Sequence, residues 1–504
     1  MHKFNDEYID YYKRDKNNLI YNYLVYKHNK KIIKKELLET KNLLDNINGY
    51  PLDLDQRKAV LTDEISILIV AGAGSGKTLT IIGKIRYLIE VKKINPSEIL
   101  CISFTREATN SLKNKLITNY NYDIDVFTFH KLALNIIKEH KTVNICNDNL
   151  LEYIVNEYFY LLENDELIKY INKYNLEQIK KLIITFINLF KCNNHEIEKF
   201  LKIKGDKNLI SIIVNIYLIY ENELKSTNSM DFNDLIKEAI KIVEKYGISK
   251  KYKYIIIDEY QDTSYVRYLL IKSIIDLCKS KLLVVGDDWQ SIYRFSGCSL
   301  NMFIDFKKYF KKSKILYINN TYRNSLELIK VTSKFIMKNK KQLIKKLNSN
   351  KRENKPIKIV NERKDILYDL IKKLGEKILV LGRNNNDIKK YFDVEIDKNG
   401  YFEYKDIKAR YLTVHRSKGL EEENVIIINL YDKVNGFPNK IKEDDILNEI
   451  SLNIKNYPYD EERRLFYVAL TRTKNCVYLI VPKNKSMFIK ELELDSKKYI
   501  EYID

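Results

Sequence analysis

Val70-Ala71-Gly72-Ala73-Gly74-Ser75-Gly76-Lys77-Thr78 is the stretch on which the fold of this 504-residue chain turns. Gly72, Gly74 and Gly76 let the backbone curl until several N–H groups point inward, a nest that suits a chain of phosphates. Ahead of the loop, Ile65 to Val70 is a short apolar run rich in β-branched residues, the pattern of a buried parallel strand. Behind it, Leu79 to Val91 carries apolar residues at helical spacing. The loop therefore joins a strand to a helix, whose positive end adds to the field. Lys77 is placed to reach terminal phosphates and the Thr78 hydroxyl to ligate Mg²⁺. The spacing Gly-x-x-x-x-Gly-Lys-Thr sets its first glycine at 71, where this chain has Ala71, the smallest substitute. The expected phosphate cradle is thus Ala71, Gly72, Ala73, Gly74, Ser75, Gly76, Lys77 and Thr78.

Outward from the loop, the same alternation of strand and helix recurs. Upstream, Gln56 lies in Leu52-Asp53-Leu54-Asp55-Gln56 and carries the donor and acceptor that reading an adenine edge requires. Downstream, strands at 98–104 and 126–129 lead into helices at Thr105-Arg106 and His130, and in a parallel sheet the loops after the strands share one ligand-facing edge. From about Ile136 to Thr227 the strand signal gives way to amphipathic helical pattern, read as an insertion. The sheet returns at 252–257 and 281–285. The first of these strands ends in Asp258-Glu259, where Asp258 can hold Mg²⁺ through its water shell and Glu259 can orient and deprotonate a water. The second ends in Gly286-Asp287-Asp288-Trp289-Gln290-Ser291-Ile292-Tyr293-Arg294-Phe295, where Gln290 can sense a γ-phosphate and two aromatics can face bases.

Bulk properties narrow the class. The length suits several domains and 45% hydrophobic residues fill ordinary cores. No apolar run approaches membrane-spanning length and the first residues carry no apolar signal core, so a cytoplasmic protein with no membrane partner is expected. Cys101, Cys146, Cys192, Cys278, Cys298 and Cys476 show no disulfide spacing. An excess of 88 Lys and Arg over 68 Asp and Glu leaves a net charge of +20, which favours a polyanion such as nucleic acid. The wealth of Lys, Asn, Ile and Tyr is also what an AT-rich genome imposes, so charge alone does not identify the partner.

Taken in order, these motifs resemble superfamily 1 helicases of the UvrD/Rep type, and within them the helicase IV branch. Trp289-Gln290-Ser291-Ile292-Tyr293-Arg294-Phe295-Ser296-Gly297 carries the likeness to that branch. Further matches are Asp231-Phe232-Asn233-Asp234-Leu235, Asn320-Thr321-Tyr322-Arg323-Asn324, Thr413-Val414-His415-Arg416-Ser417-Lys418-Gly419-Leu420-Glu421 and Glu461 to Arg472. The resemblance implies an α/β fold: two RecA-like P-loop domains with parallel sheets. Residues 1–48 form a helical basic extension, 49–135 and 228–300 the first domain (1A), 136–227 a helical insertion (1B) and 301–504 the second domain (2A). It implies ATP with Mg²⁺, held by Thr78 and Asp258, in a cleft where Arg323 and Arg472 reach the γ-phosphate. Tyr322 stacks on adenine, Gln56 reads its edge, and Glu421 lies near the ribose. Single-stranded DNA and its junctions with duplex are the implied partners, with Phe104, Tyr293 and Phe295 on bases and Thr105, Arg106, His130, Thr413, His415 and Lys418 on the backbone.

Departures shape the expected activity. The basic residue common after the loop threonine is Leu79 here, and Phe295 stands where many relatives have tryptophan. Only some thirty residues separate the strand at 377–381 from Thr413, too few for the 2B subdomain of larger relatives; 2B is absent or vestigial, and translocation is a safer expectation than strong unwinding. The lysines from Lys334 to Lys358 read as a solvated helix face. Asp397 to Lys405 faintly resembles a nuclease core, but an exposed hairpin accounts for it. The reading is an ATP-dependent 3′–5′ translocase and helicase serving repair, recombination, replication or defence. The alternative is a nucleotide-gated DNA-binding subunit of a larger complex, for example one with a nuclease.

Overall fold

A computed structural model describes residues 8–10, 19–161, 175–441, 444–452 and 457–503. Two sheets carry the chain. The first is built from β1 (Ser66–Ala71), β2 (Ile99–Ile102), β3 (Asp125–Phe127), β6 (Tyr254–Ile257), β7 (Lys281–Gly286) and β8 (Lys314–Ile318), in the order β3-β2-β6-β7-β1-β8, all parallel. A two-stranded ladder of β4 (Asn144–Ile145) and β5 (Ser229–Met230) closes the base of the helical insertion. The second sheet takes β9 (Ile357–Asn361), β10 (Ile378–Gly382), β11 (Tyr401–Tyr404), β12 (Ile407–Thr413), β13 (Asn424–Ile427), β14 (Val477–Val481) and β15 (Ile500–Ile503), in the order β11-β12-β10-β13-β14-β9-β15. Only β11 runs antiparallel, as a hairpin with β12 across Asp397–Lys405 and the residues that follow.

The central strands are apolar without interruption because helices cover both faces, the condition that lets a parallel sheet exist. β1 is buried at every position, and its two faces feed two separate cores, Leu68 and Val70 on one side and Ile67, Ile69 and Ala71 on the other. β8 pairs with β1 from Ile67↔Lys314 to Ala71↔Ile318. The first sheet thus reaches past residue 300, where the sequence reading divides the domains; pairing with β1 is long-range and leaves no mark in the local pattern.

Helices Leu150–Leu161, Leu176–Cys192 and Lys207–Ser226 share a core of their own around Phe186, Phe190 and Ile213, into which Ile446, Leu447 and Ile450 of the second domain also pack. Helix Leu19–Glu39 rests on the first domain through buried Val25 and Ile32, and Glu36 accepts from Tyr87 Oη at 2.9 Å and Lys92 Nζ at 2.7 Å. Among the described residues no helix is long and apolar enough to cross a membrane.

Candidate nucleotide and nucleic-acid site

The carboxyl ends of β1, β6 and β7 open on a cleft of about 670 Å³ between the two sheets. The phosphate loop proper begins at Gly72, because Ala71 is the last residue of β1 and lies wholly in the core. Ala71 therefore shapes the loop from beneath. Gly74 and Gly76 take left-handed φ of 70° and 75°, which only glycine adopts at little cost. At Gly74 a Cβ would stand 2.4 Å from Arg323 Cβ. That glycine is what allows the second half of the chain to close on the loop. Thr321 Oγ1 donates to Ala73 O at 2.6 Å and Tyr322 N to Gly74 O at 2.9 Å, fixing the approach.

Lys77 Nζ lies 3.1 Å from Glu259 Oε1. Glu259 sits at φ 50°, a strained left-handed position for a side-chain-bearing residue, and Gln261 Nε2 donates to its other oxygen at 2.5 Å. Burial raises the Glu259 carboxyl, but the Lys77 and Lys418 ammoniums outweigh it and bring it down to about 2. Burial and the Glu259 charge push Asp258 up to about 7. Two carboxylates with opposed tendencies, one crowded by negative charge, make a donor set that fits Mg²⁺, which takes few protein ligands and completes its shell with water and phosphate oxygens. Asp258 and Thr78 would hold the ion.

From the second domain come two guanidiniums. Arg323 Nε donates to Glu421 Oε2 at 2.7 Å and its NH1 to Thr471 O at 3.3 Å. Arg472 is 1% exposed and anchored by Val468 O, Leu420 O and Gln290 Oε1. Burial and then the Arg323 charge lower it to about 9. Gln290 is thereby held between Asp287 and Arg472. Two further links clasp the same loop to the second domain: Arg464 Nε donates to Ser291 O at 2.6 Å and Arg294 N to Glu461 Oε1 at 3.0 Å.

Several of the expected contact residues are engaged by partners within the protein. Gln56 is fully buried, its Oε1 accepting from Asp53 N at 2.8 Å in a capping box and its Nε2 donating to Ser75 O at 3.0 Å; it braces the loop from behind. Tyr322 is exposed at the cleft mouth, its hydroxyl on Asp53. Lys418 is not on an outer surface. The turn after β12 sends it inward, where it donates to Asp262 and, at 2.7 Å, to Gln290 O. The buried Asp262 carboxylate requires that counter-charge. Thr413 is also buried, with Oγ1 accepting from Arg416 N at 3.5 Å.

The aromatic residues do converge. Phe104 stacks on Tyr293 at 5.8 Å, Phe295 meets Tyr293 and His415 edge-on at 6.1 and 5.8 Å, and Tyr293 and His415 lie tilted at 6.3 Å. Phe295 is 56% exposed. Thr105 caps helix Arg106–Tyr120, and Arg106 is exposed beside it. His130 packs on Phe232 at 4.7 Å. Burial and then Arg267 lower His130 to about 4, and burial followed by Arg383 and Lys418 does the same to His415, so both are neutral near pH 7. The sequence reading missed Arg267, whose guanidinium lies 5.0 Å over Phe104, and Lys345, buried against Asp287 and Asp288.

Loop, acidic pair, glutamine and two arginines facing one cleft between two mostly parallel sheets define a P-loop nucleoside triphosphatase of two RecA-like domains. The UvrD/REP helicase N-terminal domain matches residues 52–311 and the UvrD-like helicase C-terminal domain residues 405–484, so the chain belongs to the UvrD/Rep family of ATP-dependent DNA helicases. It is similar to DNA helicase IV of Escherichia coli (strain K12), 27% identical over 92% of this chain and 73% of the relative. It is also similar to the ATP-dependent DNA helicase Rep of Buchnera aphidicola subsp. Schizaphis graminum (28%, 89% and 67%) and to PcrA of Bacillus subtilis (28%, 73% and 48%). The chain thus spans about three-quarters of the first and half of the last.

Proposed function

We propose that this chain is a Mg²⁺-ATP-driven motor that moves 3′ to 5′ on single-stranded DNA and opens duplex at junctions. The observation that supports this best is the divided cleft. Lys77, Asp258 and Glu259 come from the first sheet, while Arg323 and Arg472 come from segments packed on the second. Bound Mg²⁺ would supply positive charge to the β- and γ-phosphates. The protein's own part is to hold those phosphates on loop N–H groups and Lys77, to orient a water and accept its proton at Glu259, and to stabilise displaced charge with the two arginines. Hydrolysis then removes the bridge that both domains grip, and the change in cleft opening acts on the aromatic track, because Tyr293 and Gln290 belong to one loop. Polarity is carried over from the family resemblance.

Two assays test the reading. ATP hydrolysis is measured with and without oligo-dT, and strand displacement is measured on duplexes with 3′ or 5′ tails. Stimulation by DNA with opening from 3′ tails is expected; opening from 5′ tails alone sinks the polarity. DNA binding without hydrolysis favours the nucleotide-gated subunit. For the track itself, Phe295→Ala is expected to weaken oligo-dT binding by about 1–3 kcal/mol, the worth of one base stack, read by fluorescence anisotropy. Unchanged affinity would take Phe295 off the path.

A further inference from the structure

Residues 339–347, between helix Leu326–Ile336 and β9, belong to none of the motifs quoted above, yet they pack against the Asp287–Trp289 segment and the phosphate loop. The Lys345 side chain is 1% exposed; its ammonium contacts Asp287, lies 2.7 Å from Asp288 Oδ1, and sits 4.4 Å over the Trp289 ring. The second oxygen of Asp287 accepts from Gln290 Nε2 at 2.6 Å, and Gln290 Oε1 accepts from Arg472 NH2 at 2.9 Å. An ionised carboxylate only accepts, so Asp287 takes the amide's NH₂ end and turns its carbonyl toward Arg472. A carboxylate so deeply buried needs a counter-charge, and Lys345 provides it. Two residues on, Leu347 lies against the phosphate loop, where a Cβ on Gly72 would stand 2.8 Å from Leu347 Cδ1.

We infer that Lys345 is a positioning residue for ATP hydrolysis, acting through Asp287 to fix the amide of Gln290 against Arg472. This rests on the ATPase reading above. Without the ammonium, the Asp287 carboxylate loses the partner that holds it in place, and the amide can flip its donor end toward the arginine. The effect falls on the transition state, where the glutamine and arginine act, and spares ground-state nucleotide binding.

The test compares Lys345→Met and Asp287→Asn with the wild type, in steady-state ATPase assays with oligo-dT, binding of fluorescent mant-ADP, and thermal unfolding. Turnover is expected to fall about ten- to a hundredfold, with the mant-ADP Kd changed by less than about threefold. In a Gln290→Ala background, Lys345→Met is expected to add little, since both act through one amide. A lowered Tm with turnover intact makes the ion pair merely structural and overturns the inference, as do multiplicative losses in the double variant. If Lys345→Met does not fold, Asp287→Asn keeps the shape, removes the charge and is judged by the same criteria. A wild type that hydrolyses ATP beside two unaffected variants overturns this inference alone; a wild type that hydrolyses none, with or without DNA, overturns the ATPase reading as well.

Discussion

Glu259→Gln is expected to lower ATP hydrolysis by about a thousandfold, within the range of a lost general base, while nucleotide binding persists or tightens. Glutamine keeps the length and one acceptor for Gln261 Nε2, which donates to Glu259 at 2.5 Å, so the loop has no reason to rearrange. What disappears is a carboxylate held ionised by Lys77 and Lys418 against the pull of burial. Lys77, 3.1 Å from that carboxylate, loses its competing partner and is freed for the phosphates. The measurement is single-turnover hydrolysis beside mant-ATP binding. A variant that hydrolyses at the wild-type rate would remove Glu259 from the chemistry.

The parts of this site that are legible in the sequence are those where a local pattern and a chemical demand coincide. β1, β6 and β7 are mostly apolar runs, and the residues that follow them, Lys77, Asp258 and Gln290 among them, meet in one cleft as the local pattern leads one to expect. The parts that escaped are fixed by distant contacts. Lys345 stands in a lysine-rich stretch that reads as a solvated face, and only the return of that stretch beneath Asp287 and Trp289 buries it. Lys418 shares a segment with His415, but the turn between them points one toward Phe295 and the other into the cleft. Ala71 fits the loop's spacing, and the ladder pairing of β1 with β8 claims it for the strand. Gln56 carries the functional group an adenine edge needs, and the capping box that engages its carbonyl leaves no separate mark in the sequence.

Arg472→Lys, conservative in charge on paper, is expected to reduce turnover by about a thousandfold, or about 4 kcal/mol of transition-state stabilisation. The guanidinium uses three nitrogens on four acceptors: Nε on Val468 O at 3.0 Å, NH1 on Leu420 O at 3.2 Å, and NH2 on Gln290 Oε1 at 2.9 Å and Thr471 Oγ1 at 3.4 Å. A lysine at this depth cannot reproduce that fork, so its charge would not be aimed. Electrostatics adds a second loss. Burial and Arg323 bring even the arginine down to about 9, and a lysine starts about two units lower. The same surroundings would disfavour its charged form as well. Because the protonated form is the active one, the turnover of Arg472→Lys relative to wild type is expected to rise as the pH is lowered from about 8 to 6, whereas a purely geometric defect gives a flat ratio. Steady-state kcat across that range, with mant-ADP Kd measured alongside, separates the two effects. Wild-type turnover in Arg472→Lys would assign the transition-state charge to Arg323 alone, which is tied to Glu421 and Thr471 and reaches the phosphate loop where Gly74 leaves it room.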